Sequence, residues 1–252
     1  MAAALVSCIH DKKIAKSVIA SGRNIKNLID IKKKYKIKTT KNNKKAAKDS
    51  DILFICVKPQ DIGIVLNEIK SAIKNQLIVS IAAGIRLKQI ESVLKNKRVI
   101  RVMPNINCLA GEMAAGFCAG RYATNKDVKD VSKILNSAGT SLLLKEKLMD
   151  AVTAISGSGP AFFAYFIKAF EEAGIKNGLS KEAACRMAVQ TMLGTAKLLK
   201  GKSLSAEELI KLVASKKGAT KAGLSVFKKY KADEIIIETI NAAVKRSMEI
   251  GK

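Results

Sequence analysis

Asp51-Ile-Leu-Phe-Ile-Cys-Val57, succeeded at once by Lys58-Pro59, is the stretch whose reading decides the fold. It is a short, unbroken apolar run, rich in residues that suit a strand, and it stops at a proline. The pattern recurs downstream. Leu77-Ile-Val-Ser-Ile81 runs into Ala82-Ala83-Gly84, and Val99-Ile-Arg-Val-Met103 runs into Pro104-Asn105. Between these runs, Gln60 to Ile73 carries apolar residues at 62, 65, 66, 69 and 73, the spacing of one helix face, and Leu87 to Leu94 is also helical. Upstream, Ser17 to Ser21 and Ile37 to Thr39 are short β-like runs flanking a helix over Asn24 to Lys34, with Leu28 and Ile31 on one face. Apolar strands alternating with helices predict a parallel α/β sheet covered on both sides. Such sheets bind ligands outside the carboxyl ends of their strands. The loops at 57–60, 81–84 and 103–105 are therefore expected to line one crevice.

The strand signal stops near residue 145. Asp150 to Gly174 reads as mostly helical, with Phe163, Phe166 and Phe170 at helical spacing, as core or subunit-interface residues would be. Ser180 caps a long helix to Lys200, and Ser205 with Glu208 forms a capping box for a helix to Val213. Thr220 to Tyr230 and Ala232 to Met248 complete the helical part. The expected organisation is a dinucleotide-type domain over 1–145 and an all-helical domain over 146–252.

Composition removes whole classes of chemistry. His10 is the sole histidine, which argues against Cys–His and Ser–His–Asp mechanisms and against most histidine metal sites, so no metal is expected. The five cysteines are odd in number and contain no C-x-x-C pair, as expected for reduced thiols in the cytoplasm. No run of eighteen apolar residues occurs, and the N-terminus is apolar first and basic after, the reverse of a secretory signal; no membrane partner is expected. The net charge of +25 comes almost wholly from lysines spread along the chain, and aromatics are only 4%. Without basic–aromatic interleaving this reads as solvated helix faces rather than a nucleic-acid surface, although the charge can attract anionic cofactors.

Two segments of the helical part are suited to close ligand approach. Ile155-Ser-Gly-Ser-Gly-Pro-Ala-Phe162 packs glycines and serines before a proline, which serves equally as a tight helix start. Ser215-Lys-Lys-Gly-Ala-Thr220 feeds a helix N-terminus, where free N–H groups can take a carboxylate. From local sequence alone a plain C-cap followed by an N-cap threonine explains it as well.

Taken in order, Val57-Lys-Pro-Gln60, Ser80-Ile-Ala-Ala-Gly84, Arg101-Val-Met-Pro-Asn105, Ile155 to Ala161 and Ser215-x-x-Gly-Ala-Thr220 resemble pyrroline-5-carboxylate reductases, from Met1 to about Glu249. The resemblance implies a Rossmann-type domain followed by an α-helical dimerisation domain, in a homodimer or higher homo-oligomer whose sites lie between protomers. It implies that NADPH, or NADH, reduces the cyclic imine pyrroline-5-carboxylate to proline. Val57, Lys58, Pro59, Ala82, Ala83 and Gly84 match cofactor-wrapping positions, and Asn43 a further contact. Ser21 and Arg23 fall where the adenosine ribose lies, and an arginine there suits a 2′-phosphate. Ser215, Gly218, Ala219 and Thr220 match the loop holding the substrate carboxylate and ring nitrogen, with Thr220 as the catalytic contact.

Two departures stand out. The family's substrate loop usually reads Ser-Pro-Gly-Gly-x-Thr, and Lys216-Lys217 here replace its Pro-Gly. The family also opens with a strand and a Gly-x-Gly loop for the pyrophosphate, and Met1-Ala-Ala-Ala-Leu-Val-Ser matches the family sequence only from the end of that loop onward. Without that strand its neighbours would expose apolar edges. These departures motivate an alternative: an inactive or regulatory binding protein derived from a reductase. A hydroxy-acid dehydrogenase of the same build would need a basic residue on the helix through Phe162 to Phe170, which offers only Lys168.

Overall fold

The computed structural model describes residues 2–201 and 204–251. Met1, at the start of the family match, lies outside the described residues. The first half runs α1 (Ala2–Asp11), β1 (Ile19–Ser21), α2 (Ile25–Tyr35), β2 (Lys38–Thr40), α3 (Asn43–Lys48), β3 (Ile52–Ile55), α4 (Ile62–Ile69), β4 (Leu77–Ser80), α5 (Leu87–Val93) and β5 (Arg98–Met103). It continues through β6 (Met113–Ala119), α6 (Asn125–Asn136), β7 (Gly139–Leu143) and α7 (Met149–Val152). The helices begin where the sequence supplies caps. The Asn24 side chain accepts from the Asn27 N–H at the start of α2, and Thr124 and Asp127 form a capping box at α6.

The strands form two groups. β1 pairs with β2 in parallel, and β3 to β7 make a five-stranded sheet in chain order. The sheet is parallel except at one seam, where β6 runs antiparallel to β5 with Val102 opposite Phe117. The strands legible in the sequence, up to Met103, all pair in parallel, and the seam lies beyond them at β6. The chain reaches β6 through a 3-10 turn over Ile106–Ala110 rather than a crossover helix, and a short connection of this kind reverses strand direction. β4 is buried at every position, whereas β3, paired on one side only, is half-buried at Ile52, Leu53 and Phe54.

Strand period two divides the core into layers. Leu77 and Val79 of β4, Ile100 and Val102 of β5, and Phe117 of β6 pack on one face with Ala4 and Leu5 of α1 and Val131 and Leu135 of α6. Ile78 and Val99 share the other face with Ile62 and Leu66 of α4, Leu87 and Ile90 of α5, and Met149 of α7. Each of these larger side chains stabilises the fold by roughly 1.5–3 kcal/mol.

The remaining helices are α8 (Gly159–Lys176), α9 (Lys181–Gly201), α10 (Ala206–Val213), α11 (Ala219–Lys229) and α12 (Ala232–Ile250). By packing, Met1–Pro160 and Ala242–Lys252 form one unit and Ala161–Asn241 a second. The packing division thus lies beyond the boundary near 145 read from the sequence. Met149 is fully buried in the sheet's core, and the Ser247 hydroxyl donates to the Asp150 carboxylate at 2.7 Å. In the second unit, Ala184 is the only buried residue among those described. Phe163, Phe170, Phe227 and Leu212, the last 77% accessible, lie on its surface.

Candidate active site

The residues expected to wrap a cofactor follow two strands that pair in parallel. β3 and β4 run in register, so Val57-Lys58-Pro59 and Ala82-Ala83-Gly84 leave the same edge of the sheet. Pro59 opens a 3-10 turn that carries the chain into α4. Ala82 is buried, and its N–H reaches the Ser80 hydroxyl at 3.4 Å. Gly84 has φ +77°, and a Cβ there would lie 2.7 Å from Ile250 Cγ2 and 3.2 Å from the Gly251 nitrogen. Both the left-handed backbone and the lack of space require glycine. The Gln89 amide donates to the Gly251 carbonyl at 3.4 Å, so the end of α12 closes the back of this loop.

A polar cluster gathers the residues expected at the ribose. The Ser21 hydroxyl donates to Asn43 Oδ1 at 2.7 Å, and Asn43 Nδ2 donates to Glu68 Oε2 at 2.8 Å. Arg23 Nη2 donates to Asp61 Oδ2 at 2.9 Å. Ser21, Arg23 and Asn43 thus join two carboxylates that the sequence reading missed. No local motif marks Asp61 or Glu68; only the packing of α4 on α3, which itself packs on β1, brings them here. A guanidinium, a hydroxyl and an amide together fit a phosphorylated ribose, and the small-residue loop ending at Gly84 fits a flat ring pressed against backbone.

The loop from Ser215 to Thr220 belongs to the second unit. After α10 ends, Lys216 and Lys217 turn in solvent and the Gly218 N–H donates to the Ser215 carbonyl at 3.2 Å. Gly218 caps α11 in extended conformation, and a Cβ on it would collide with the Ser215 hydroxyl. Ala219 and Thr220 occupy the first turn of α11, where backbone N–H groups have no acceptor in the helix itself. Thr220 is exposed. The loop therefore offers a hydroxyl and free amides, the donors that a carboxylate and a ring nitrogen require. Lys168, the one cation on its stretch of α8, pairs with Glu172 at 3.5 Å in solvent.

The other two motifs fasten one another. The buried Asn105 donates from Nδ2 to the Ser156 carbonyl at 3.1 Å and accepts from the Ala114 N–H at 3.2 Å. The Ser156 hydroxyl donates to the Ala114 carbonyl. Thr153–Gly157 forms a π-helical turn, and a Cβ on Gly157 would lie 2.5 Å from Met103 Cε. Buried Arg101 donates to Glu146 at 3.2 Å, and the same carboxylate oxygen accepts the Leu87 N–H at 2.7 Å, tying α5 to the segment before α7. These contacts position backbone rather than present reactive groups. Two of the thiols are equally quiet. Burial pushes Cys56 and Cys118 up to about 12, so neither is a ready nucleophile near neutral pH. Among the described residues, no group of three or more His, Cys, Asp or Glu could hold a metal ion.

Residues 146–250 match the family model described as pyrroline-5-carboxylate reductase dimerisation. Residues 1–84 match the model described as NADP oxidoreductase, coenzyme F420-dependent. Pyrroline-5-carboxylate reductase 2 of Bacillus subtilis is 34% identical over 254 residues, covering 99% of this chain and 91% of the relative. A Plasmodium falciparum pyrroline carboxylate reductase, solved with NADP bound, superposes with a TM-score of 0.88 at 32% identity, covering 99% of this chain and 94% of that one. The Coxiella burnetii pyrroline-5-carboxylate reductase superposes with a TM-score of 0.95 at 28% identity, covering 100% of this chain and 95% of that one. With its strand-end loops, its exposed helical faces and a similarity that runs the length of the chain, this protein belongs to the pyrroline-5-carboxylate reductase family.

Proposed function

We propose that this chain reduces pyrroline-5-carboxylate to proline, with NADPH as the preferred reductant and NADH as the second. The single observation that carries this reading is the match to named reductases along the whole chain. When bound, the dinucleotide supplies a hydride. In this reading Ser21, Arg23 and Asn43 hold its adenosine ribose, and Val57, Lys58, Pro59, Ala82, Ala83 and Gly84 line its path. Ser215 and the N–H groups of Ala219 and Thr220 take the substrate carboxylate, the Gly218 turn that bonds back to Ser215 holds them in place, and the Thr220 hydroxyl bonds the ring nitrogen and orients the ring. A protonated imine is already electrophilic, so the site needs no histidine. Lys216 and Lys217 add positive charge beside an anionic substrate.

The exposed aromatic and aliphatic faces of α8 to α12 support a homodimer or higher homo-oligomer, since apolar surface of that extent calls for a partner. The five cysteines form no disulfide among the described residues, which favours a reducing compartment, and we read the protein as cytoplasmic. Among the described residues, no helix is long and apolar enough to cross a membrane. The alternative of an inactive binding protein gains nothing from the relatives, which are named as reductases. Thr220→Ala tests the catalytic assignment. Turnover is expected to fall roughly 10- to 100-fold while NADPH affinity, measured by fluorescence titration, stays within about twofold. Unchanged turnover removes Thr220 from the mechanism.

A further inference from the structure

The cation expected to read the cofactor's 2′-phosphate is already engaged. Arg23 Nη2 lies 2.9 Å from Asp61 Oδ2; the arginine side chain is 86% exposed and the aspartate only 23%. The carboxylate is therefore the fixed half of the pair, held at the turn into α4, while the guanidinium keeps its remaining donors toward solvent. A second carboxylate, Glu68, holds the amide of Asn43, which in turn holds Ser21. Each side chain expected to read the ribose thus answers, directly or through one neighbour, to an acid.

We propose that Asp61 sets this protein's preference between NADPH and NADH by competing with the 2′-phosphate for Arg23. The inference rests on the reading that Arg23 lies at the adenosine ribose. A 2′-phosphate brings close to two negative charges beside the Asp61 carboxylate, and it must draw the guanidinium away from a partner already at hydrogen-bond distance. A 2′-hydroxyl brings no charge, and a carboxylate can accept its proton in a hydrogen bond. Asp61 therefore weakens the 2′-phosphorylated cofactor and leaves the unphosphorylated one unaffected or slightly favoured. The isosteric amide Asp61→Asn keeps the shape of the turn and abolishes the charge. Asp61 makes no side-chain cap bond to α4, so this change leaves the helix start intact.

The test uses two fragments that lack the nicotinamide half, adenosine 2′,5′-bisphosphate and adenosine 5′-monophosphate, titrated calorimetrically into the full chain. NADPH and NADH serve as a second pair. Asp61→Asn is expected to tighten the bisphosphate roughly two- to tenfold and to leave the monophosphate within about twofold. In an Arg23→Ala background the same change is expected to lose most of its effect, leaving only the weak direct repulsion between carboxylate and phosphate, under about twofold. An unchanged bisphosphate-to-monophosphate ratio in Asp61→Asn, or a shift that is undiminished without Arg23, overturns the role of Asp61. If Arg23→Ala alone leaves that ratio untouched, Arg23 is not at the ribose and the underlying reading fails as well. If the unaltered chain takes neither ligand, both fall.

Discussion

Gly84 shows how much a single residue carries. Its backbone is left-handed at φ +77°, and its missing Cβ is the space that Ile250 and Gly251 occupy. An alanine there meets both penalties, about 1–2 kcal/mol for the conformation and roughly 1–3 kcal/mol for overpacking. Gly84→Ala is expected to destabilise the protein by at least about 2 kcal/mol in a denaturant titration and to weaken dinucleotide binding. A midpoint unmoved by the substitution contradicts the crowding. At this scale the sequence is informative wherever a strand end fixes a loop. Val57 to Pro59 and Ala82 to Gly84 can be placed because a parallel sheet puts them on one edge. Asp61 and Glu68 cannot, because their place beside Arg23 and Asn43 depends on how α4 docks, which no local pattern encodes.

Among elements, the strands that stand out most clearly are the apolar runs of the five-stranded sheet. β3 announces itself as an unbroken apolar run, β4 as one that ends in a serine, β5 as a β-branched run interrupted by Arg101, and α9 and α10 by their serine caps. β6 gives no such signal, since Met-Ala-Ala-Gly-Phe-Cys-Ala has no β-branched residue, and its state is decided by pairing with β5 and β7. β7 is equally mute, a Gly-Thr-Ser start on the outer edge of the sheet. The last turn of α12 is the least foreseeable contribution. It belongs by sequence to the helical part, yet Ser247 bonds Asp150 and Ile250 backs the loop after β4. Ile250→Ala is expected to speed amide hydrogen exchange at Ile85, Arg86 and Leu87 while leaving α6 unaltered. Equal exchange in both places means that α12 does not support that loop.

The whole molecule is a well-buried sheet unit joined to a helical unit that hides almost none of its own apolar surface. The Phe163, Phe166 and Phe170 spacing is legible as a core or interface stripe, and their exposure in the single chain favours the interface. Leu212→Glu places a charge on such a face and is expected to shift the protein toward monomer in sedimentation velocity, with turnover falling in parallel. An unaltered oligomer excludes that face from the contact. The net charge of +25 works against association, and a partner must outweigh it. The central claim is the chemistry itself. It is tested most directly by incubating the purified protein with pyrroline-5-carboxylate and NADPH and measuring both NADPH consumed and proline formed. The account predicts that the two change in equal amounts and that both depend on the imine. NADPH left intact, or consumed without proline, would contradict it.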